Sequence, residues 1–130
     1  MIEFHLDTRS GVPTYLQLVQ QVTQAVRLGI LQPGDQLPTV KEVVGSLAIN
    51  PNTVLKAYRE LDLGGLVEGK RGQGTFVSSE VPPVPPDDVK ALRTSLQRWI
   101  ERARGAGLDD DNLATLFYDT LRPPSVSRVA

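Results

Sequence analysis

Four prolines within residues 81–86 divide this chain of 130 residues into two parts. Proline fixes φ and lacks the backbone amide donor, so neither a continuous helix nor a central β-strand can cross such a run. We predict a stiff, extended linker over 80–86. The region at 1–79 and the region at 87–130 must therefore form separate structures.

Two helices and a turn are predicted in the first region. Apolar residues recur at helical spacing over about 14–28, which predicts the first helix. A turn follows, in which Pro33 and Gly34 fit the central positions of a type II turn. Thr39 is a good N-cap because its hydroxyl can accept an amide hydrogen bond, so the second helix is predicted over 40–47.

The pair Asn50-Pro51 is the clearest local signal in the chain. Asparagine is a favoured N-cap, and proline is favoured at the first helical position, where its missing amide costs nothing. A third helix is therefore predicted from Pro51 to about Leu63. Two short strands, at 66–68 and 75–77, follow it and enclose a glycine-rich, flexible tip. This order predicts a mainly α fold with a small β-hairpin, the winged helix-turn-helix.

The region after the linker is predicted to form two helices, one over about 87–104 and one from an N-cap at Asp109 to Pro123. A small winged domain cannot easily cover the long apolar stripe of the first of these helices, and exposed patches of this kind mark partners. A symmetric dimer would pack the stripe against its copy; folding back onto the same chain is the alternative. The predicted dimerisation residues are Val89, Leu92, Leu96, Trp99, Ile100, Ala103, Leu113, Leu116 and Phe117.

Polar and cationic side chains occupy the positions at which a winged helix-turn-helix meets DNA. The third helix of this motif places its N-terminal residues in the major groove. Asparagine can pair bidentately with adenine, and the threonine methyl group can contact that of thymine. Glycines in the hairpin allow close approach to DNA, and its cations can touch phosphates or the minor groove. On these grounds the predicted DNA-binding residues are Asn52, Thr53, Lys56, Arg59, Lys70 and Arg71.

The overall charge gives no independent argument for a nucleic-acid partner. The net charge is −1, and residues 32–76 carry five cations and five anions. The anions must therefore lie away from the DNA-facing surface. Each predicted contact residue, taken alone, is also an ordinary exposed side chain; the set on one helix face favours groove contact. Two copies would double the phosphate contacts of one, which makes dimerisation part of the mechanism.

Composition excludes several other classes of site. The chain has no cysteine and a single histidine, so disulfides, thiolate zinc sites and all-histidine zinc sites are excluded. His5 alternates with two acidic residues, and 109–111 is an acidic run, but a surface strand and helix capping explain these features better than a metal. No nucleophile–base pair or phosphate loop is present, so we expect no enzyme, catalytic residue or cofactor. Without a membrane-length apolar run or a signal peptide, we expect a cytoplasmic protein.

Several spaced motifs together resemble the GntR family of bacterial regulators. The segment 29–41 (GILQPGDQLPTVK) is similar to the family's opening, and 50–54 (NPNTV), 57–61 (AYREL) and 72–77 (GQGTFV) complete the pattern. The match covers about residues 12–78. The Asn-Pro-Asn-Thr and Ala-Tyr-Arg-Glu-Leu forms, together with the short C-terminal region, resemble the YtrA subfamily.

The resemblance implies a dimeric transcription factor, usually a repressor, that binds a pseudo-palindromic operator on double-stranded DNA. In that subfamily the regulator genes often lie beside those of an ABC transporter. The helical tail of its members serves dimerisation and is too small for the effector pocket of larger relatives. Lys41 stands where the family usually has arginine, and the loss of the bidentate fork favours a phosphate contact. The resemblance adds Thr39, Lys41, Asn50, Gly72 and Gly74 to the predicted DNA-binding residues.

One alternative belongs to a different functional class. A winged helix can serve protein–protein contact alone, and such domains often lose the basic wing and the polar helix start. This sequence retains both features, which favours DNA binding. The sequence identifies neither the operator nor an effector, and it leaves open whether a small-molecule effector exists.

Overall fold

The computed structural model describes residues 2–122, which form five helices and one two-stranded antiparallel sheet. This architecture confirms the predicted fold class of a winged helix-turn-helix followed by a helical region. Within residues 2–122, no helix is both long and apolar enough to cross a lipid bilayer. The elements are α1 (Thr14–Arg27), α2 (Val40–Leu47), α3 (Pro51–Leu63), β1 (Val67–Lys70), β2 (Gly74–Val77), α4 (Pro86–Gly105) and α5 (Asp110–Leu121).

The chain forms two compact units, and the boundary between them falls in the first part of α4, after Val89. In the first unit, α3 packs against α1, α2 and β1. The apolar stripe of α3 (Val54, Ala57, Tyr58 and Leu61) is buried throughout, because helical spacing places its members on one side of the helix. The largest fully buried side chains of this core are Leu18, Val22, Leu37, Val43, Val54, Val67 and Val77.

Side-chain caps fix where the helices begin. Thr39 accepts a hydrogen bond from the amide of Glu42, and the Glu42 carboxylate accepts one from the amide of Thr39, which forms a complete capping box. The side chain of Asn50 caps α3 in the predicted manner. Asp109 and Asn112 form a second capping box at the start of α5. The three predicted N-caps are therefore confirmed.

The β-hairpin is more regular than the sequence predicts. The strands pair from Val67 with Val77 as far as Lys70 with Gly74, so the tip contains only residues 71–73. The predicted tip at 69–74 was too long, because cross-strand hydrogen bonds hold glycine-containing segments that local propensity assigns to a loop. Gly72 adopts a φ of +76° within this tip, a value that glycine takes without steric cost.

The first part of the proline-rich segment packs on the first unit. Val81 lies against the hydrophobic core. The side-chain amide of Gln32 donates to the carbonyl oxygens of both Gly29 and Val84, each at 2.8 Å. The segment from Ser78 to Val84, which we call the strap, is therefore anchored where α1 ends.

The second unit consists of the remainder of α4 together with α5. An ion pair of 3.0 Å joins Arg104 to Asp110 across the connection between the helices. Leu113 is buried, and Trp99 and Ile100 are half-buried beside an open apolar groove of about 360 Å³. Helix α5 ends at Leu121, and the prolines at 123 and 124, predicted to stop it, lie outside the described residues.

Candidate nucleic-acid interface

The face of α3 opposite its buried stripe carries the predicted contact residues. Asn52, Lys56 and Arg59 follow one another at intervals of three or four residues, so they share this face, and all three are exposed. Thr53 is half-buried at the side of the same helix turn. The start of α3 therefore presents amide, hydroxyl and cationic groups to solvent.

Two of the predicted contact residues also have structural roles. The Asn50 side-chain oxygen accepts a hydrogen bond of 2.8 Å from the amide of Asn52, so mainly its NH₂ group remains available to DNA. The Thr39 hydroxyl accepts a bond of 3.1 Å from the amide of Glu42 but keeps its own proton to donate. Lys41 lies on the first turn of α2 beside Thr39 and is exposed.

The hairpin and the start of α2 enclose an open concavity of about 650 Å³. Its lining brings Thr39 together with Gly72, Gly74 and the two wing cations. Lys70 lies over the Phe76 ring at 5.0 Å from the ring centroid, Arg71 lies at the tip, and both side chains are exposed. The cations of the wing therefore share one surface with the cap of α2.

A second concavity lies between the first turns of α1 and α3 and measures about 410 Å³. We call it the α1–α3 notch. Sequence reasoning missed its α1 side, because the apolar spacing of α1 indicates only a packing role. The ammonium group of Lys56 lies 4.0 Å from the centroid of the Tyr15 ring in this notch. The residues that line it are Thr14, Tyr15, Asn50, Asn52, Thr53 and Lys56.

Gln36 is another residue that sequence reasoning missed, and it positions the wing. Its side-chain amide donates to the carbonyl of Gln73 at 3.3 Å, and its backbone forms an isolated bridge with Phe76. A Cβ atom on Gly74 would lie only 2.7 Å from the Gln36 amide nitrogen. The missing side chain at Gly74 therefore lets Gln36 approach the wing, a long-range contact for which the sequence carries no local signal.

The cations and carboxylates within residues 32–76 are all exposed, but they form no ion pairs with one another. Among residues 2–122 the only ion pair is the one between Arg104 and Asp110 in the second unit. The cations of the first unit are therefore not paired with any carboxylate in that range. The carboxylates of Asp35, Glu42 and Glu68 instead accept hydrogen bonds from neighbouring backbone or hydroxyl groups. The exposed cations of this segment are Lys41, Lys56, Arg59, Lys70 and Arg71.

A buried tyrosine links the third helix to the segment that leads into the second. The Tyr58 hydroxyl donates to the carbonyl of Pro38 at 2.6 Å. Burial, assisted by the negative charge of Glu42, raises the pKa of Tyr58 well above its usual value. The hydroxyl therefore remains protonated and donates this bond at neutral pH, which ties α3 to the start of α2.

The predicted dimerisation residues form a partly open apolar surface. Leu92 is 69% exposed, and Leu96, Leu116 and Phe117 are each more than 40% exposed. Val89 and Ala103 are half-buried. Packing of α4 on α5 thus covers Leu113 and leaves much of the remaining stripe accessible. Across the described part of the chain, no three acidic or histidine side chains are grouped as a metal site.

Comparison with known proteins identifies relatives that are transcriptional regulators and not enzymes. Residues 14–77 match the family described as bacterial regulatory proteins, gntR family. The chain is 37% identical over 109 residues to the HTH-type transcriptional repressor YtrA of Bacillus subtilis (strain 168), covering 83% of this chain and 84% of that protein. It is 39% identical over 103 residues to the HTH-type transcriptional regulator Rv1152 of Mycobacterium tuberculosis, covering 79% of this chain and 81% of that protein.

Solved structures show the same relationship at the level of the fold. A transcriptional antiterminator from Listeria monocytogenes EGD-e has a TM-score of 0.59 at 29% identity, covering 93% of this chain and 91% of that one. YtrA from Sulfolobus acidocaldarius, a GntR-family transcription factor, has a TM-score of 0.55 at 28% identity, covering 92% and 96%. AraR(DBD) in complex with operator ORX1 has a TM-score of 0.52 at 25% identity, covering 59% and 96%. The chain therefore belongs to the GntR family of bacterial transcriptional regulators, within its YtrA subfamily, and carries the family's DNA-binding helix-turn-helix domain.

Proposed function

We propose that this protein is a dimeric repressor that binds a pseudo-palindromic operator in its own operon and acts in the cytoplasm. The observation that carries the proposal is the exposed face of α3, on which Asn52, Lys56 and Arg59 follow one another at helical spacing. Every cation within residues 32–76 is exposed, and none of them forms an ion pair in the described part of the chain. Three of the five carboxylates of this segment, which are exposed as well, accept hydrogen bonds within the protein. Such a surface attracts the phosphates of DNA despite the net charge of −1.

The proposed mode of binding places the start of α3 in the major groove. Asn52 has both groups of its amide available for bidentate pairing with adenine, and Thr53 offers its methyl group to thymine. Lys56 and Arg59 neutralise phosphates along the same groove. In the wing, Gly72 and Gly74 allow the hairpin to approach the DNA backbone closely. The cations that complete the phosphate contacts are Lys41, Lys70 and Arg71.

Dimerisation supplies the second half of the proposed operator contact. The exposed apolar residues of α4 and α5 would be covered by a second copy, because a symmetric pair buries the same patch on both subunits. Two recognition helices would then read half-sites about one helical turn apart. Occupancy of the operator would exclude RNA polymerase and so repress transcription. The resemblance to YtrA-type regulators extends the proposal to an operon that encodes an ABC transporter.

The proposal is tested by electrophoretic mobility shift with DNA from the region upstream of the protein's own gene. We expect a salt-sensitive complex with that fragment and a much weaker one with an unrelated duplex of equal length. Arg71→Ala should weaken binding to both duplexes, since phosphates are common to both. Footprinting should then show two protected half-sites related by approximate two-fold symmetry.

Two results would contradict the proposal. Equal affinity for the two duplexes would remove sequence specificity, and absence of any complex would favour a winged helix used only for contact with another protein. A reporter gene placed behind the upstream fragment tests repression separately. Expression should fall when the protein is supplied and recover with an Asn52→Ala, Arg71→Ala double variant.

A further inference from the structure

The contact between Lys56 and Tyr15 joins two helices at the mouth of the α1–α3 notch. Lys56 lies one turn into α3, and Tyr15 lies in the first turn of α1, which packs along α3. The ammonium nitrogen is 4.0 Å from the ring centroid, a distance at which the negative face of an aromatic ring attracts a cation. The Lys56 side chain is therefore directed towards α1.

This direction determines which part of DNA Lys56 can reach. A lysine ammonium is a compact point charge with three donors on a flexible stem, and stacking on a ring restricts that stem while leaving donors free. Asn52 and Thr53 lie one turn nearer the start of α3, where base edges are read. An ammonium group held at the side of the helix suits a backbone phosphate better than a base.

We propose that Tyr15 is a positioning residue for DNA binding, whose ring holds the Lys56 ammonium at the α1–α3 notch so that it contacts a backbone phosphate. This inference rests on the proposed function and deepens it. It assigns Lys56 to sequence-independent affinity and leaves base preference to Asn52. It also gives α1, whose buried residues otherwise indicate packing alone, a role at the DNA surface.

The inference is tested with two substitutions that separate the ring from its hydroxyl. Tyr15→Phe keeps the aromatic face and should bind both the upstream fragment and an unrelated duplex with wild-type dissociation constants. Tyr15→Leu removes the face but stays apolar and should raise both dissociation constants about two- to fivefold. Lys56→Ala should reduce the slope of log K against log salt by about 1 for each copy, or about 2 for the dimer. In the Lys56→Ala protein, Tyr15→Leu should have no further effect.

A measurement on the free protein tests the contact without DNA. The ε-methylene protons of Lys56 should show an upfield ring-current shift in NMR spectra of the wild type and of Tyr15→Phe, and a normal shift in Tyr15→Leu. Equal melting temperatures of the three proteins would show that the fold is intact. Arg59→Ala is the matched control, because its effect on affinity should add to that of Tyr15→Leu.

Four outcomes would overturn the inference. The first is that Tyr15→Leu still weakens DNA binding in the Lys56→Ala protein. The second is that Tyr15→Leu weakens binding to the upstream fragment alone, since Lys56 would then read a base. A wild-type affinity for Tyr15→Leu would overturn the inference and leave the proposed function standing. A wild-type protein that binds neither duplex would overturn the proposed function and this inference together.

Discussion

At the scale of single residues, two neighbouring asparagines have different tasks. Asn50 uses its side-chain oxygen to cap α3, whereas the Asn52 side chain is exposed on the face that carries the cations. The chemistry of the residues predicts a cap for Asn50 and contact with DNA for Asn52, and the resemblance to GntR regulators implies contact with DNA for Asn50 as well. Only the geometry of the cap separates the two roles.

Matched alanine substitutions should reveal this division. We expect Asn50→Ala to lower the free energy of unfolding by about 1 kcal/mol, because an amide of the first turn loses its partner. Asn52→Ala should change the free energy of unfolding by less than about 0.5 kcal/mol and lower the discrimination between operator base pairs by about 1–3 kcal/mol. Urea unfolding and competition binding with base-substituted operators measure the two effects. The assignment fails if the two variants behave alike.

The ionisation of Tyr58 should make the free energy of unfolding depend on pH in the alkaline range. Burial and the charge of Glu42 raise the pKa of Tyr58 in the folded protein above the value of about 10 expected in the unfolded chain. The folded state then retains a proton that the unfolded state loses, so the contribution is fully present below pH 10. The free energy of unfolding should fall as the pH rises above about 10, by at most about 1.4 kcal/mol per pH unit for this group.

Tyr58→Phe is the comparison for this pH dependence. The variant leaves the Pro38 carbonyl without the hydroxyl donor and should lose about 1–3 kcal/mol of unfolding free energy at pH 7. Denaturant titrations between pH 8 and about 11 should show a smaller alkaline loss for the variant than for the wild type. Parallel curves for the two proteins would mean that Tyr58 does not cause the alkaline loss.

At the scale of elements, local chemistry determines where helices begin, and distant contacts determine how loops behave. Thr39, Asn50 and Asp109 are recognisable as caps because their partners lie within three residues. The length of the wing is set by pairing across the sheet, and the course of the strap is set by Gln32. Those partners are distant in sequence, so composition predicts only a glycine-rich tip and an extended linker.

Glycine at position 29 is needed for the strap to pack on the first unit. Gly29 has a φ of +73°, and a Cβ atom there would lie 3.0 Å from the Cβ of Val84. We expect Gly29→Ala to lower the free energy of unfolding by more than 1 kcal/mol and to speed proteolysis within 80–86, because the strap must move away. Thermal unfolding and limited proteolysis measure these effects.

Gly45 supplies the control for this substitution. It lies inside α2 with a negative φ and has no neighbouring atom within 4 Å of an added Cβ. Gly45→Ala should therefore raise the free energy of unfolding by about 0.5–1 kcal/mol and leave proteolysis of the strap unchanged. If both variants were stabilised, the contact between Gly29 and Val84 would not hold the strap.

At the scale of the whole molecule, the apolar stripe of α4 and α5 should decide the assembly. Periodicity alone locates this stripe, but the buried position of Leu113 and the exposure of Leu92 depend on how the two helices pack on each other. We expect Leu92→Asp to convert a dimer into a monomer, because the charge would be buried in the proposed interface. Thr94→Asp adds the same charge on the opposite face of α4 and should leave the dimer intact.

Sedimentation and DNA binding together test this assembly. The monomeric Leu92→Asp protein should retain its folded helices in circular dichroism but bind the operator with about half the salt dependence of the dimer, since it neutralises half as many phosphates. Thr94→Asp should bind as the wild type does. A Leu92→Asp protein that remains dimeric, or a wild type that sediments as a monomer at the concentrations that occupy the operator, would contradict the proposed role of the stripe. Operator affinity would then have to come from one winged domain alone, for which the five cations of residues 32–76 provide few phosphate contacts.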